Sequence, residues 1–363
     1  MNKQVATAFE RQDYRAAAKL LKDWQRQSPQ DPWLKLYVGR LQEVSGKLPA
    51  AVETYRQVLK AASRNGNNKL AVQARQGLQR IEATEQATRQ QAIAQAKAAP
   101  LGNEPGLLVL EPVSGESRSN AAQGIAKVMK IDPYTARMQL PSRGWRLFRV
   151  GPMGELEFYG QALQAAGVPV FWQSLVNITT VRVFRAEYFQ ELGFQPVIVC
   201  KNEQDQLGAI RFEWSEVSQQ VVGLLPIFEQ VVDLDVRNKL QRKEQTQDYV
   251  QICDLHLPGR QCLIRFCDRT YQFQQGVSLH SASGSPGQST QATTRINWNK
   301  LLDHLKNHIK TPIWSDFTTF GEGALEYISI LGSFSSHIDI FRRADSNWDP
   351  AFHLYSSLVF LQS

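Results

Sequence analysis

Residues that could hold a metal ion occur at two places in the carboxyl half. Asp254 and His256, in the segment DLH, would lie on the same face of a strand, and a D-x-H pair opens one class of metal site. That class also needs GD and GNH elements downstream, and the sequence contains neither. His304 and His308 lie one helical turn apart, but no Glu stands between them as the zinc motif H-E-x-x-H requires. The sequence therefore predicts no metal site.

Signatures of nucleotide binding and of hydrolysis are missing. The loop SGSPGQST has the small residues of a phosphate cradle but lacks the lysine of the P-loop motif, and no G-x-G-x-x-G or G-x-S-x-G segment occurs. We therefore expect a protein that is not an enzyme and has no cofactor. An enzyme in the carboxyl half, using Asp254, His256 or His280, is the alternative, and it requires these side chains to converge on a cleft.

Cations and aromatic residues alternate in the segment Arg143, Trp145, Arg146, Phe148 and Arg149. Single-stranded nucleic acid is bound by this chemistry, because cations contact phosphates and rings stack on bases. A strand here would place Trp145 and Arg149 on the side opposite Arg146 and Phe148. The pattern is therefore equally typical of a half-buried strand with solvated arginines, and nucleic-acid binding through Arg143, Trp145, Arg146 and Arg149 is the alternative function.

The amino-terminal region contains a repeat of thirty-four residues. Tyr14, Ala17, Leu21 and Pro29 correspond, one period later, to Leu48, Ala51, Tyr55 and Ser63. Gly39 and Gly46, seven residues apart, precede Ala51 in the second copy. This spacing resembles the tetratricopeptide repeat (TPR), in which small residues let two antiparallel helices approach closely. The resemblance covers residues 2–99.

The TPR resemblance implies a concave groove that binds a segment of a partner protein. In the second repeat Trp33, Leu36, Arg40 and Glu43 match the positions that face this groove. The subset of the family that clamps a terminal carboxylate needs several Lys and Asn residues, of which only Arg40 is a counterpart here. The resemblance therefore implies partner binding without such a clamp.

The helices of the amino-terminal region can be placed from their boundary signals. Residues 2–27 and 32–62 read as two helical pairs, with Asp31 and Pro32 at one helix start and Gly46 in a turn. A third amphipathic helix from about residue 69 to 99 would cap the array, and a Pro- and Gly-containing linker follows. We therefore expect an all-α domain at 1–99.

Residues 107–176 predict a small α/β domain. LLVLEPV, WRLFRV and PVFWQSL read as strands, and the order strand, helix, helix, strand, helix, strand fits a split βαβ unit. Asp132 precedes Pro133 at one predicted helix start, and Gly167 suits a helix end. A domain with this order of elements is similar in shape to the C-terminal domain of the ribosomal stalk protein.

Residues 178–363 predict a mainly antiparallel β domain with helices. Six strand-like runs end with CLIRF at 262–266, and a Ser/Gly/Thr/Gln loop covers 276–294. Trp298, Leu301, Leu302, Leu305 and Ile309 would share one helical face behind Asn297 as the N-cap. The apolar tail AFHLYSSLVFL is expected to pair as a last strand. The fold class is thus multidomain α+β.

The composition and charge of the chain indicate where the protein is located and what kind of partner it binds. The 363 residues carry a net charge of +7, and residues 1–100 hold 17 Lys and Arg against 8 Asp and Glu, whereas residues 191–363 hold 15 against 19. No apolar run could serve as a secretory signal or span a bilayer, and Cys200, Cys253, Cys262 and Cys267 read as buried thiols. We therefore expect a cytoplasmic adaptor that binds an acidic protein partner without membrane insertion, the alternative being an RNA- or ribosome-associated protein.

Overall fold

The computed structural model describes residues 1–234, 240–278, 293–343 and 345–362. The chain divides into two compact units, Met1–Gln95 and Ala96–Ser363. The residues predicted as separate domains at 107–176 and 178–363 lie together in the second unit. His280 and the loop SGSPGQST lie outside the described residues.

The first unit, called here the helical unit, is built from antiparallel helical pairs. Its helices are α1 (Asn2–Glu10), α2 (Tyr14–Gln27), α3 (Pro32–Val44), α4 (Leu48–Arg64) and α5 (Asn68–Ala98), whose last residues, from Ala96, belong to the second unit. Asp31 caps α3 by accepting a 2.9 Å hydrogen bond from the Trp33 amide, as expected. Gly46 takes a positive φ of 73° in the turn before α4. The predicted pairs and the third helix are therefore present.

Small residues let the helices of this unit approach closely. Ala17 and Ala51 are fully buried. The ring of Tyr55 lies between glycines of α3 and α5, because a Cβ added to Gly39 would come within 3.0 Å of it and one added to Gly77 within 2.5 Å. Glycine at both positions therefore makes room for an aromatic side chain between three helices.

The second unit begins with a three-stranded sheet. Its elements follow the predicted order: β1 (Pro105–Leu110), α6 (Ser117–Met129), α7 (Pro133–Gln139), β2 (Arg146–Pro152), α8 (Met153–Ala165) and β3 (Val170–Ser174). β1 is central and antiparallel to both neighbours, so β2 and β3 run parallel to each other with β1 between them. The crossover through α8 is thus a split βαβ connection.

Both faces of β1 are covered, which explains its continuous apolar sequence. Leu108 and Leu110 pack with α6 and α8, whereas Leu107 and Val109 join a larger cluster on the other face. That larger cluster also contains Val221 and Tyr355. Because the cluster joins residues on either side of position 177, the two segments of the second unit share one core.

The remaining elements form a seven-stranded sheet and its covering helices. They are α9 (Leu175–Thr179), β4 (Arg182–Glu191), β5 (Val197–Lys201), β6 (Leu207–Arg211), β7 (Gln219–Leu234), β8 (Leu240–Leu257), β9 (Cys262–Cys267), α10 (Thr294–His308), β10 (Ile313–Trp314), α11 (Phe317–Ala324), α12 (Ile328–Leu331) and α13 (Trp348–Leu361). The strand order is β10-β7-β8-β9-β4-β5-β6; β10 pairs with β7 and β4 with β9 in parallel, and the other neighbours in this order pair antiparallel. The chain is therefore a mixed α/β protein, and its larger sheet is mostly antiparallel.

Two local predictions in this region were wrong. The tail 351–361 is the helix α13 and not a strand: its residues Ala351–Val359 are all buried, so the apolar run has no exposed face to reveal a helical period. The N-cap of α10 is Thr293 and not Asn297, which lies inside the helix and is buried. The predicted apolar face of α10 is present, with Trp298, Leu301, Leu305 and Ile309 buried.

Candidate functional site

The helix α2 carries a stripe of cations along its exposed side. The stripe consists of four exposed residues spaced four, three and four apart, Arg15, Lys19, Lys22 and Arg26. Such spacing keeps side chains on one side of a helix. The opposite side buries Ala17, Leu21 and Trp24. The cations therefore project directly away from the core.

A second stripe occurs on α4. Arg56, Lys60 and Arg64 are exposed and spaced by four residues. Arg56 and Lys60 lie thirty-four residues after Lys22 and Arg26, which is the spacing of the predicted repeat. We call these seven residues of α2 and α4 the basic stripes. The spacing of these cations is visible in the sequence, although the site residues predicted from the sequence do not include them.

The four predicted groove residues have different environments. Leu36 is buried in the core with Tyr55, so its side chain is not available at the surface. Trp33 is half-buried, packed against both hydrophobic clusters of the helical unit. Arg40 is exposed and lies over the Phe9 ring, 5.0 Å from its centroid.

Glu43, the fourth of the predicted groove residues, forms hydrogen bonds within the helical unit. It accepts hydrogen bonds from Tyr55 Oη at 2.6 Å and from Arg80 Nε and Nη2 at 2.8 and 2.9 Å. Burial raises the pKa of Glu43, but the hydrogen bonds from Arg80 and Tyr55 outweigh it and hold this pKa below its ordinary value. Of the four residues, Trp33 and Arg40 therefore keep surface to offer a partner.

The predicted nucleic-acid segment does not gather into one surface. Trp145 is buried, with its ring 4.8 Å from that of Phe171 and 4.9 Å from that of Trp314. Arg143 is exposed, and Arg146 donates to backbone carbonyls at the end of α7. The other ring of the segment, Phe148, is half-buried against the cluster of Leu108 and Leu110, so neither ring is fully exposed for a base to stack on.

Arg149, the last cation of that segment, already has a partner. It donates to Glu155 Oε1 at 2.6 Å, and Lys97 contacts the other carboxylate oxygen of Glu155 at the same distance. Burial raises the pKa of Glu155, but the hydrogen bonds from Lys97 and Arg149 outweigh it and lower this pKa. Arg149 therefore serves the second unit's own packing.

Asp254 and His256 lie on the same face of β8, as predicted, and are fully buried. Ser356 of α13 connects them, because its Oγ–H donates to Asp254 Oδ2 at 2.6 Å and its Oγ lies 3.0 Å from His256 Nε2. Since that hydroxyl proton is directed to Asp254, Nε2–H of His256 must donate to Oγ. The Ser356 hydroxyl donates to a carboxylate and its side chain is fully buried, so it is not arranged as an activated nucleophile.

His304 and His308 stack on one another and on Trp214. Their ring centroids are 4.4 Å apart, and that of His308 lies 4.9 Å from the Trp214 ring. Burial, followed by the nearby His308, lowers the pKa of His304. Within the described residues no group of three potential metal ligands occurs. The two imidazole rings therefore pack with Trp214 in one cluster at the surface.

The four cysteines are free and buried, as predicted.

Among the described residues, no helix combines the length and apolar character needed to cross a membrane. Comparison with protein-family models, with curated proteins and with solved structures gave no match.

Proposed function

We propose that the protein is a non-enzymatic adaptor whose TPR-like helical unit docks an acidic segment of a protein partner. The observation that carries the proposal is the pair of basic stripes. They place cations at equivalent positions of the two predicted repeats, on the sides of α2 and α4 that face away from the core. The second unit supplies a further surface of the adaptor in this proposal.

The charge of the helical unit favours an acidic partner. Residues 1–95 contain 16 Lys and Arg against 8 Asp and Glu. The α2 stripe has one nearby anion, Asp23, which lies 3.7 Å from Arg26 and is 44% exposed. Complementary charge across an interface steers association and selects the partner, so an acidic segment fits this surface. Trp33 and Arg40 would add an apolar and a cationic contact at the groove.

The proposal is tested by the binding of labelled peptides to the full-length chain, measured by fluorescence anisotropy at physiological salt. An acidic peptide of Glu and Leu is expected to bind, and a basic peptide of the same length is not. The double substitution Lys19→Glu/Lys22→Glu should weaken the acidic peptide's affinity about tenfold, since it reverses two stripe charges.

A matched control separates the stripes from the general charge of the unit. Lys35→Glu/Lys69→Glu makes the same charge change at exposed residues of α3 and α5. It should have a much smaller effect than the stripe variant. Equal losses in both variants would show that only net charge matters, and a loss with Arg40→Glu alone would locate the contact in the groove.

A second candidate function is RNA binding through the same basic stripes. The observation that favours it is the extent of the stripes, which could follow a phosphate backbone. Oligouridylate is the probe. RNA binding predicts an affinity that exceeds that of the acidic peptide and that falls steeply with salt concentration, because bound counterions are released.

A further inference from the structure

A row of charged residues crosses the seven-stranded sheet on its α13 side. Arg265 of β9 is paired with Arg185 of β4, and Arg185 is paired with Lys201 of β5. Asp254 of β8 is paired with Arg265 on its other side. Directly paired residues project from the same face of a sheet, so three cations stand side by side on neighbouring strands.

Like charges in such an arrangement destabilise a sheet unless anions compensate them. Two of the three cations have firm internal partners. Arg265 donates to both carboxylate oxygens of Asp254, at 2.9 and 2.7 Å, and both side chains are fully buried. Lys201 lies 2.9 Å from Glu187, a carboxylate that is only 7% exposed. These pairs are parts of the folded structure.

Arg185 differs from its neighbours because its partners are exposed. Its side chain is 19% exposed and pairs with Asp205 and with Asp339, the latter at 3.1 Å. These two carboxylates are 72% and 80% exposed. Exposed ion pairs contribute little free energy, so another anion could replace them at small cost. Arg185 is therefore the exchangeable position of the row.

A cleft of about 260 Å³ lies over these cations. The cleft is lined by Arg185, Lys201 and Arg265, together with Gln272, His337 and the carboxylates of Glu187 and Asp339. His337 has a φ of +51°, in the left-handed region of the backbone. Burial, followed by the nearby Arg265, lowers the pKa of His337, so a neutral imidazole faces the cleft near pH 7.

We propose that this cleft binds a small oxyanion, the phosphate or carboxylate group of a small molecule, through Arg185, beside Lys201, whose ammonium group keeps its contact with Glu187. The ligand displaces Asp339 from Arg185 and accepts charge-assisted hydrogen bonds from the guanidinium group. The size of the cleft admits a small molecule and not a folded partner. The site lies in the second unit and does not depend on the docking function of the helical unit.

The test is isothermal titration calorimetry of the full-length chain with inorganic phosphate and, separately, with succinate, at constant ionic strength set by sodium chloride. Saturable binding of one equivalent is expected. Arg185→Gln should weaken it about tenfold or more. Asp339→Asn should tighten it about two- to fivefold, because the competing carboxylate is gone. The tighter of the two probes identifies the ligand's anionic group.

Two charge-matched controls complete the design. Arg211→Gln removes an exposed cation of the neighbouring strand β6, and Asp303→Asn removes an exposed anion of α10. Both should bind as the unaltered chain does. Circular dichroism checks the folding of Arg185→Gln, and the gain of affinity in Asp339→Asn cannot arise from misfolding. Absence of saturable binding by both probes, or equal changes in the Asp339 and Asp303 variants, would overturn the proposal.

Discussion

Tyr55 of α4 donates a 2.6 Å hydrogen bond to Glu43 of α3, and Arg80 of α5 donates to the same carboxylate. The Tyr55 side chain is almost completely buried, and its ring occupies the space left by Gly39 and Gly77. The carboxylate of Glu43 thus connects three successive helices of the helical unit beside the ring of Tyr55.

The hydroxyl of Tyr55 should therefore contribute to the stability of the helical unit. Tyr55→Phe keeps the ring in place and removes one donor to Glu43, and we expect a loss of about 1 to 2 kcal/mol in the free energy of unfolding. Urea denaturation followed by circular dichroism measures it. The control is Tyr14→Phe at a partly exposed ring, which should change stability by less than about 0.5 kcal/mol. Equal effects in both variants would contradict the assigned role.

How much of the fold was predictable depends on where the partners of each residue lie in the sequence. Helix starts such as Asp31–Pro32 and Asp132–Pro133 were placed correctly because each cap bonds an amide two or three residues away. The strand β1 was found because its apolar run is continuous. The same kind of run misled the prediction for α13, since burial on all sides removes the helical period.

The candidate sites were less predictable for the same reason. Trp145 between arginines has the composition of a stacking site, but its partners are Phe171, Trp314 and Tyr355, which are distant in sequence. The row of cations on β9, β4 and β5 depends on strand register, and no local pattern specifies that Arg185 is paired with Arg265. The basic stripes, in contrast, follow from residue spacing within one helix.

The packing of α13 on β7 should be intolerant of added volume. A Cβ at Gly223 would lie 2.5 Å from the Phe352 ring, which is itself buried. We expect Gly223→Ala to lower the free energy of unfolding by about 1 to 3 kcal/mol, since the ring or the strand must shift. The control is Gly208→Ala on β6, where an added Cβ meets nothing within 4 Å. Thermal unfolding with a similar loss in both variants would argue against this close contact.

The buried pair of Asp254 and Arg265 should be costly to break on one side. Asp254→Asn leaves the Arg265 guanidinium without its buried counter-charge, and we expect a loss of about 3 to 5 kcal/mol in the free energy of unfolding. The double substitution Asp254→Leu/Arg265→Met removes both charges and should cost less than the single one. Urea titrations of both variants test this order.

An exposed pair provides the control for this prediction. Arg211 and Glu191 lie 3.1 Å apart with both side chains more than half exposed. Glu191→Gln should therefore change stability by no more than about 1 kcal/mol. If the double substitution at Asp254 and Arg265 were more damaging than Asp254→Asn, the stranded charge would not be the cause of the loss.

The burial of His256 predicts a specific loss of stability in acid. Burial is the first cause that lowers its pKa, to about 4, while the unfolded side chain titrates near its ordinary value of 6.5. Between these two values the unfolded chain binds a proton that the folded chain does not. The free energy of unfolding should therefore fall as the pH decreases through this window, by up to about 1.4 kcal/mol per pH unit from this residue.

His256→Gln isolates this contribution, because Gln does not titrate and its side-chain amide can still donate to Ser356 Oγ. The variant is expected to be less stable than the unaltered chain at pH 7 but to lose less stability between pH 6.5 and 4, by equilibrium urea unfolding at a series of pH values. If the stability of His256→Gln depended on pH in the same way as that of the unaltered chain, His256 would take up no proton on unfolding. The loss of stability in acid would then come from other groups, such as the fully buried His353, because burial also lowers its pKa.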